Sequence, residues 1–391
     1  MNMENARREF AGLDDEWAYF DNAGGSFTLN RVIDRVAEYM RSTPVQLGGG
    51  YPLSQQAAQR QADAVRRLAG FINAAEPREI VLGSSSTALT WQIARALRPT
   101  LRAGDEIIIT EIDHEANRSP WLSLADAGVT IRTWEVDKEN FALSLEQLQR
   151  LLNERTRLVA FAQVSNVLGR IEPATEIVRL AHAAGARVFI DGVAHAPHRQ
   201  VDVQALGADF YVMSLYKIFG PHLGMLHGRL DALLELGNIN HAFLPADALP
   251  YKLQPGGASY ELAWGAAGIV DYFDAWPNAF TDIAAFEAML SRPLLDFLST
   301  HPRVELIGPA DSDPAVRVPI ISFRAKHKSS REIVQALEAR KLAARHGNFN
   351  AHALLHACGI DIDDGVVRVS FAHYNTMEEV QRLIAALDEV L

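Results

Sequence analysis

The chain has 391 residues, 48% hydrophobic and 22% charged, with a formal net charge of −11 at pH 7. That length and apolar content allow two domains and a large core, while the negative balance disfavours nonspecific nucleic-acid binding and attraction to anionic membranes. The single cysteine, Cys358, excludes an intrachain disulfide and a multi-cysteine metal site; with no apolar run near ~20 residues and no apolar signal core after Met1, the cytoplasm is the expected location and a small molecule the expected partner.

Along the chain, short apolar runs at residues 79–82, 106–110, 130–134, 158–162, 188–190 and 210–213 alternate with helical segments such as 174–184. Nearly continuous apolar strands alternating with helices predict a mostly parallel sheet covered on both faces, with ligands collecting at the strand carboxyl ends. A stretch rich in Pro and Gly, residues 245–259, reads as a loop leaving this large domain. After a helix-rich region over 264–298, the pattern becomes strand (318–323), helix (330–341), strand (366–371), helix (378–391), a small α+β domain. Ser329 with Glu332 and Thr376 with Glu379 match the capping-box spacing at two of these helix starts. The expected domains are residues 1–265, whose first 30 residues contribute to the active site, and residues 266–391.

Two polar residues stand at the ends of apolar strands: Asp191, after Val188-Phe189-Ile190, and Lys217, just after Phe210-Tyr211-Val212-Met213-Ser214. Singly, the first reads as a helix cap and the second as a solvated surface group. Together, and followed by a Gly/Pro loop (Gly220-Pro221-His222-Leu223-Gly224) that lets backbone approach a ligand, they suit pyridoxal phosphate (PLP). The amine would bond to the cofactor aldehyde, and the carboxylate would keep the pyridine nitrogen protonated so that the ring withdraws electrons. No Gly-x-Gly-x-x-Gly follows a first strand, which argues against a dinucleotide site.

Seven segments carry a resemblance: Tyr19-Phe20-Asp21-Asn22-Ala23-Gly24, residues 83–89, 111–117 and 164–169, Asp191-Gly192-Val193-Ala194-His195, the segment around Ser214-Leu215-Tyr216-Lys217, and residues 368–376. In order and spacing the chain resembles the class V aminotransferase family of fold-type I PLP enzymes, in particular its cysteine desulfurase and selenocysteine lyase branch. The resemblance implies a fold-type I transferase with a mostly parallel seven-stranded sheet. It implies Lys217 as the cofactor-bonding lysine, Asp191 under the pyridine nitrogen and His114 stacked on the ring. Ser85, Ser86, Ser214 and Tyr216 would surround the phosphate, at the start of a helix whose positive end suits an anion. Asn166 would meet the phenolic oxygen. Asn22, Arg345 and Arg368 would meet the substrate, with the Arg368 fork on its α-carboxylate. Gly256 and Gly257 would reach the phosphate site of a neighbouring subunit, making a homodimer. No metal is implied.

Two departures bear on the reaction. Where desulfurases carry a nucleophilic cysteine, this chain reads Gly347-Asn348-Phe349-Asn350, and Cys358 lies eight residues beyond, on an expected helix, as a small apolar side chain. Ala194 replaces the Gln or His that relatives place beside the phenolic oxygen, leaving His195 or His198 as substitutes, and Tyr216 replaces a His. The expected activity is that of a PLP-dependent lyase or aminotransferase without a persulfide cysteine, working on a small amino acid through an external aldimine and a quinonoid. The alternatives are an epimerase of the isopenicillin N epimerase-like branch and an inactive PLP-binding regulatory protein.

Overall fold

In the computed structural model, which describes residues 3–14 and 16–391, a seven-stranded sheet forms the centre. Its strands run in the order Ile80–Gly83, Gly224–Gly228, Phe210–Ser214, Arg187–Asp191, Thr156–Ala162, Glu106–Thr110, Thr130–Trp134. All neighbours pair parallel except Gly224–Gly228, which is antiparallel to both of its partners. That strand is absent from the sequence expectation, because five residues with a glycine at each end read as the tail of the lysine loop.

Period-two alternation explains why the other strands read as unbroken apolar runs. Ile107, Ile109, Phe210 and Val212 face one core; Ile108, Tyr211 and Met213 face another on the opposite side of the sheet. Helix Ser86–Leu97 covers the first side next to the lysine strand, and Tyr260–Asp274 packs on Asn30–Ser42 and Pro52–Phe71 on the second side.

A second, four-stranded sheet has the order Val304–Ile307, Ile320–Ala325, Val366–Ser370, Arg345–Gly347, and its pairs are all antiparallel. Its core, with Ile321, Phe323, Val367, Val369 and Leu383, also takes in Ala18 and Phe20, because Ala18–Tyr19 pairs parallel with Leu342–Ala343. The residues just after Tyr19 are thereby carried to the junction of the two sheets.

Both capping boxes are formed, at Ser329 and at Thr376. Ser329 is half-buried and its cap is local, with Glu332 N–H on its hydroxyl and the Glu332 carboxylate on its own N–H. Ser329→Ala is therefore expected to lower stability by about 1 kcal/mol, read as a lower urea midpoint, with turnover unchanged.

Candidate active site

Asp191 and Val212 are register partners on neighbouring parallel strands, so Asp191 lies at a carboxyl end close to where Phe210–Ser214 runs out into the turn Leu215–Lys217. Parallel order alone brings the carboxylate and the amine to one end of the sheet. They share a cleft of about 470 Å³ with Ser86, Thr87, His114, Asn166, Ser214 and Tyr216. Burial first, then the Arg368 charge, bring the Lys217 amine down to about 8 against the pull of Asp191. Near neutrality a usable fraction is thus the free base, the form that attacks an aldehyde.

Burial pushes the Asp191 carboxyl up, and among the described residues its one hydrogen-bond donor is the Val193 N–H at 2.9 Å. Such a carboxylate calls for a cation over it, which a protonated ring nitrogen would supply. Gly192 is required next to it: a Cβ there would run into the Tyr211 ring, whose hydroxyl donates to Gln163 Oε1 at 2.8 Å.

Across the cleft, helix Ser86–Leu97 points its N-terminus inward. Ser85 is its N-cap, the hydroxyl accepting from Ala88 N–H at 3.1 Å, and it does not line the cleft. The hydroxyls that do are Ser86, 2.8 Å from Ser214 Oγ, and Thr87, which sequence reasoning passed over although it follows Ser86 in the first helical turn. Gly224 lets its strand press on the Ser85 and Ser86 backbone, where a Cβ would not fit. Hydroxyls together with exposed N–H groups at a helix N-terminus suit a phosphate.

His114 accepts from Ala116 N–H through Nδ1 at 3.0 Å, so its proton resides on Nε2. Burial, with Lys217 and Arg368 nearby, holds it down to about 4, and the ring is neutral. Just before it, burial raises the Asp113 carboxyl to about 7, while Thr110 and Asn117 donate to it and fix the turn that carries His114. Asn166 Oδ1 is buried with no hydrogen-bond partner among the described residues, and its amide Nδ2 donates to Phe349 O at 2.9 Å. An aldehyde-reactive amine, an under-partnered buried carboxylate, a neutral ring and a hydroxyl-lined helix start in one cleft fit PLP.

The remaining expected residues fall in three groups. Tyr216 lines the cleft, stacked on His222 with ring centroids 4.7 Å apart, and burial raises its hydroxyl so that it keeps its proton. Asn22 spends its amide within the protein, donating to Ser370 O at 2.8 Å and accepting from Tyr374, while its neighbour Asp21 meets both Arg345 and Arg368. Gly257 is exposed and outside the cleft of its own chain.

Neither histidine proposed to replace the side chain lost at Ala194 lines this cleft, although His198 lines a smaller cavity beside it that shares Lys217, Val193 and Ala194. His195 Nδ1 lies 3.4 Å from the Tyr211 hydroxyl, and His198 Nδ1 is 2.8 Å from Glu287 Oε1. Cys358 ends the short helix His352–Ala357, half-buried against the large core, and burial raises its thiol, the opposite of an activated nucleophile.

Arg368, 2% exposed, reaches Asn166 O through Nη1 at 3.1 Å, and Phe349 lies over its guanidinium at 3.9 Å. Phe349 and Asn350 both have left-handed φ, 51° and 55°, a conformation that residues with side chains adopt only when their surroundings hold it. Two bonds to the cleft do so: Asn166 to Phe349 O, and Glu115 N–H to Asn350 O at 2.7 Å. No sequence pattern announces that the Phe349 ring lies over the Arg368 guanidinium. Among the described residues no group of His, Cys, Asp and Glu could hold a metal ion, and no helix is long and apolar enough to cross a membrane.

A family model for aminotransferase class-V matches residues 18–383. The chain is 41% identical to the aminotransferase-like protein FGM3 of Gibberella zeae, over 100% of this chain and 98% of that one. It is 34% identical to a cysteine desulfurase of Pectobacterium atrosepticum, over 99% and 98%. Among solved structures it resembles the apo cysteine desulfurase of Thermococcus onnurineus, with a TM-score of 0.90 and 26% identity over 99% of this chain and 97% of that one.

Proposed function

This chain belongs to the aminotransferase class-V family of PLP-dependent enzymes and is cysteine desulfurase-like, and on that premise we propose that it converts a small amino acid by carbon–sulfur or carbon–selenium lyase or by transaminase chemistry, without a persulfide. The observation that carries the finer reading is Phe349. An aromatic ring held over the Arg368 guanidinium occupies the loop where a sulfur-accepting thiol would stand, and Cys358 is outside the cleft with its thiol raised by burial.

Bound, PLP supplies an aldehyde that captures an amine and a ring that withdraws electrons from the substrate Cα. The protein does the rest. Ser86, Thr87 and Ser214 would hold the phosphate at the helix start, and Asp191 would keep the ring nitrogen protonated. His114, held neutral, would lie against the ring and keep water from it. Arg368 orients the substrate through its carboxylate, fixing which Cα bond stands to be broken. Lys217 Nζ takes the Cα proton as the free base and holds it for return, and Tyr216, which keeps its phenolic proton, is a second donor within the cleft.

The domain division at about residue 265 belongs to this reading, as do a cytoplasmic setting and a homodimer. Support for the dimer is Gly257, exposed and away from its own cleft, with open space where a Cβ would stand. The reading is tested by loading the protein with PLP, offering a panel of small amino acids, and following sulfide, alanine and keto acid together. With dithiothreitol present to carry off, as sulfide, the zero-valent sulfur that leaves cysteine when alanine forms, release of alanine with sulfide supports it, as does release of keto acid; exchange of the Cα proton with inversion and no net product would replace it by epimerisation. Cys358→Ser is expected to leave turnover within about twofold, since a half-buried thiol packs as a small apolar group. A loss of sulfide release in that variant would restore a persulfide route.

A further inference from the structure

Arg345 and Arg368 are register partners on adjacent antiparallel strands, so their side chains leave the small sheet on one face, directly opposite each other. Two guanidinium groups so placed repel unless an anion lies between them. Asp21 is that anion: its Oδ2 lies 2.9 Å from Arg345 Nε and its Oδ1 3.1 Å from Arg368 Nη2. The placement is built into the chain. Ala18–Tyr19 pairs with Leu342–Ala343, Asp21 bridges to Ser370 beside the Arg368 strand, and Gly24 lacks the Cβ that would collide with the Arg345 guanidinium.

The side-on edge of Arg368, Nε with Nη2, is the fork that grips a carboxylate by two parallel bonds. Here Asp21 holds Nη2, while Nε is buried with no hydrogen-bond partner among the described residues. The fork is half satisfied from inside the protein, by the same functional group that a substrate would bring.

We propose that Asp21 is a built-in surrogate for the substrate carboxylate: it neutralises the arginine pair before substrate arrives, then yields Arg368 Nη2 to the incoming carboxylate and stays with Arg345. The proposal rests on Arg368 as the carboxylate site and adds a positioning residue that sets how tightly that site binds. Arg345, with its side chain 53% exposed, is the partner to which the displaced Asp21 can remain attached.

Propionate, the counterpart of alanine without its amine, is the probe, titrated calorimetrically into the PLP-loaded protein. Asp21→Asn, nearly the same shape without the charge, is expected to bind propionate roughly five- to tenfold more tightly, as one partly exposed competing carboxylate would require. Asp21→Glu, which keeps the charge, is expected to bind as the unaltered protein does. Unchanged or weaker binding in Asp21→Asn overturns the proposal. A crystal of the unaltered PLP-loaded protein with propionate gives a check that needs no variant: Asp21 beyond hydrogen-bonding distance of Arg368 Nη2 supports the exchange, and Asp21 still on Nη2 refutes it. Arg368→Lys separates the levels, because normal propionate binding in that variant would remove Arg368 from carboxylate recognition altogether.

Discussion

Lys217→Met is expected to abolish turnover, by at least ~10⁴-fold, and to leave no borohydride-reducible bond to PLP, since both the covalent anchor and the base at Cα are one atom, Nζ. The same substitution is expected to make the apoprotein more stable at pH 7. The lysine is buried, and its amine falls from an ordinary 10.5 to about 8, so folding opposes its charge. Between those values the unfolded chain binds the extra proton and the native state does not, and stability therefore rises with pH across that window. Below pH 8 both states are protonated and the full penalty is present, on the order of 3 kcal/mol at most from a shift of this size.

Methionine fills similar space without charge and removes the penalty, but it also strips Asp191 of a nearby cation. Burial already pushes that carboxyl up, and the loss offsets part of the gain. The net expectation is a gain of roughly 1–2 kcal/mol at pH 7 that shrinks to nothing above about pH 10.5, read from urea midpoints of the two apoproteins at both pH values. A Lys217→Met apoprotein less stable at pH 7 would mean that Nζ is solvated. This stability deficit is what an amine kept reactive near neutrality entails.

The parts of this architecture that sequence could supply are those with local causes. Residues 106–110 and 130–134 read as strands with the bounds the structure has, the first because Ile107, Ile108 and Ile109 are continuous and follow the turn residues Gly104-Asp105, the second because Thr, Ile and Trp favour extended backbone even on an exposed edge strand. Both capping boxes followed from a spacing of three. Strand Gly224–Gly228 was lost because nothing in five residues says that they will pair antiparallel between two parallel-running neighbours. No local pattern marks Arg345 as part of a strand, because the three-residue edge strand Arg345–Gly347 exists only through its partner Val366–Ser370. Ser85 and Thr87 show how one residue of register matters at a helix start: the N-cap hydroxyl turns to its own backbone, and residues inside the first turn face the cleft. The bridging of two arginines by Asp21 joins three distant segments, and no local pattern encodes it.

Arg368 separates two functions that a single substitution usually mixes. Arg368→Lys keeps a positive charge but loses the planar fork, so KM for the amino acid is expected to rise about 10- to 100-fold, the range for one or two charge-assisted hydrogen bonds, with kcat changed less. Arg368→Gln also removes the charge. Arg368 lowers the affinity of Lys217 for its proton and does the same at His114, so its loss raises both. The free-base form of Lys217 then appears at higher pH. In the apoprotein, the rate of PLP capture is expected to be half-maximal near pH 8 in the unaltered chain, to shift upward in Arg368→Gln and to stay in place in Arg368→Lys. Burial is the larger cause of the lowered value, so the shift stops short of an ordinary lysine. The two readouts are independent: KM reports the fork, and the capture profile reports the charge. If Arg368→Gln left the capture profile where it was, the guanidinium would be electrostatically uncoupled from Lys217, and the free base at neutral pH would have to come from burial alone.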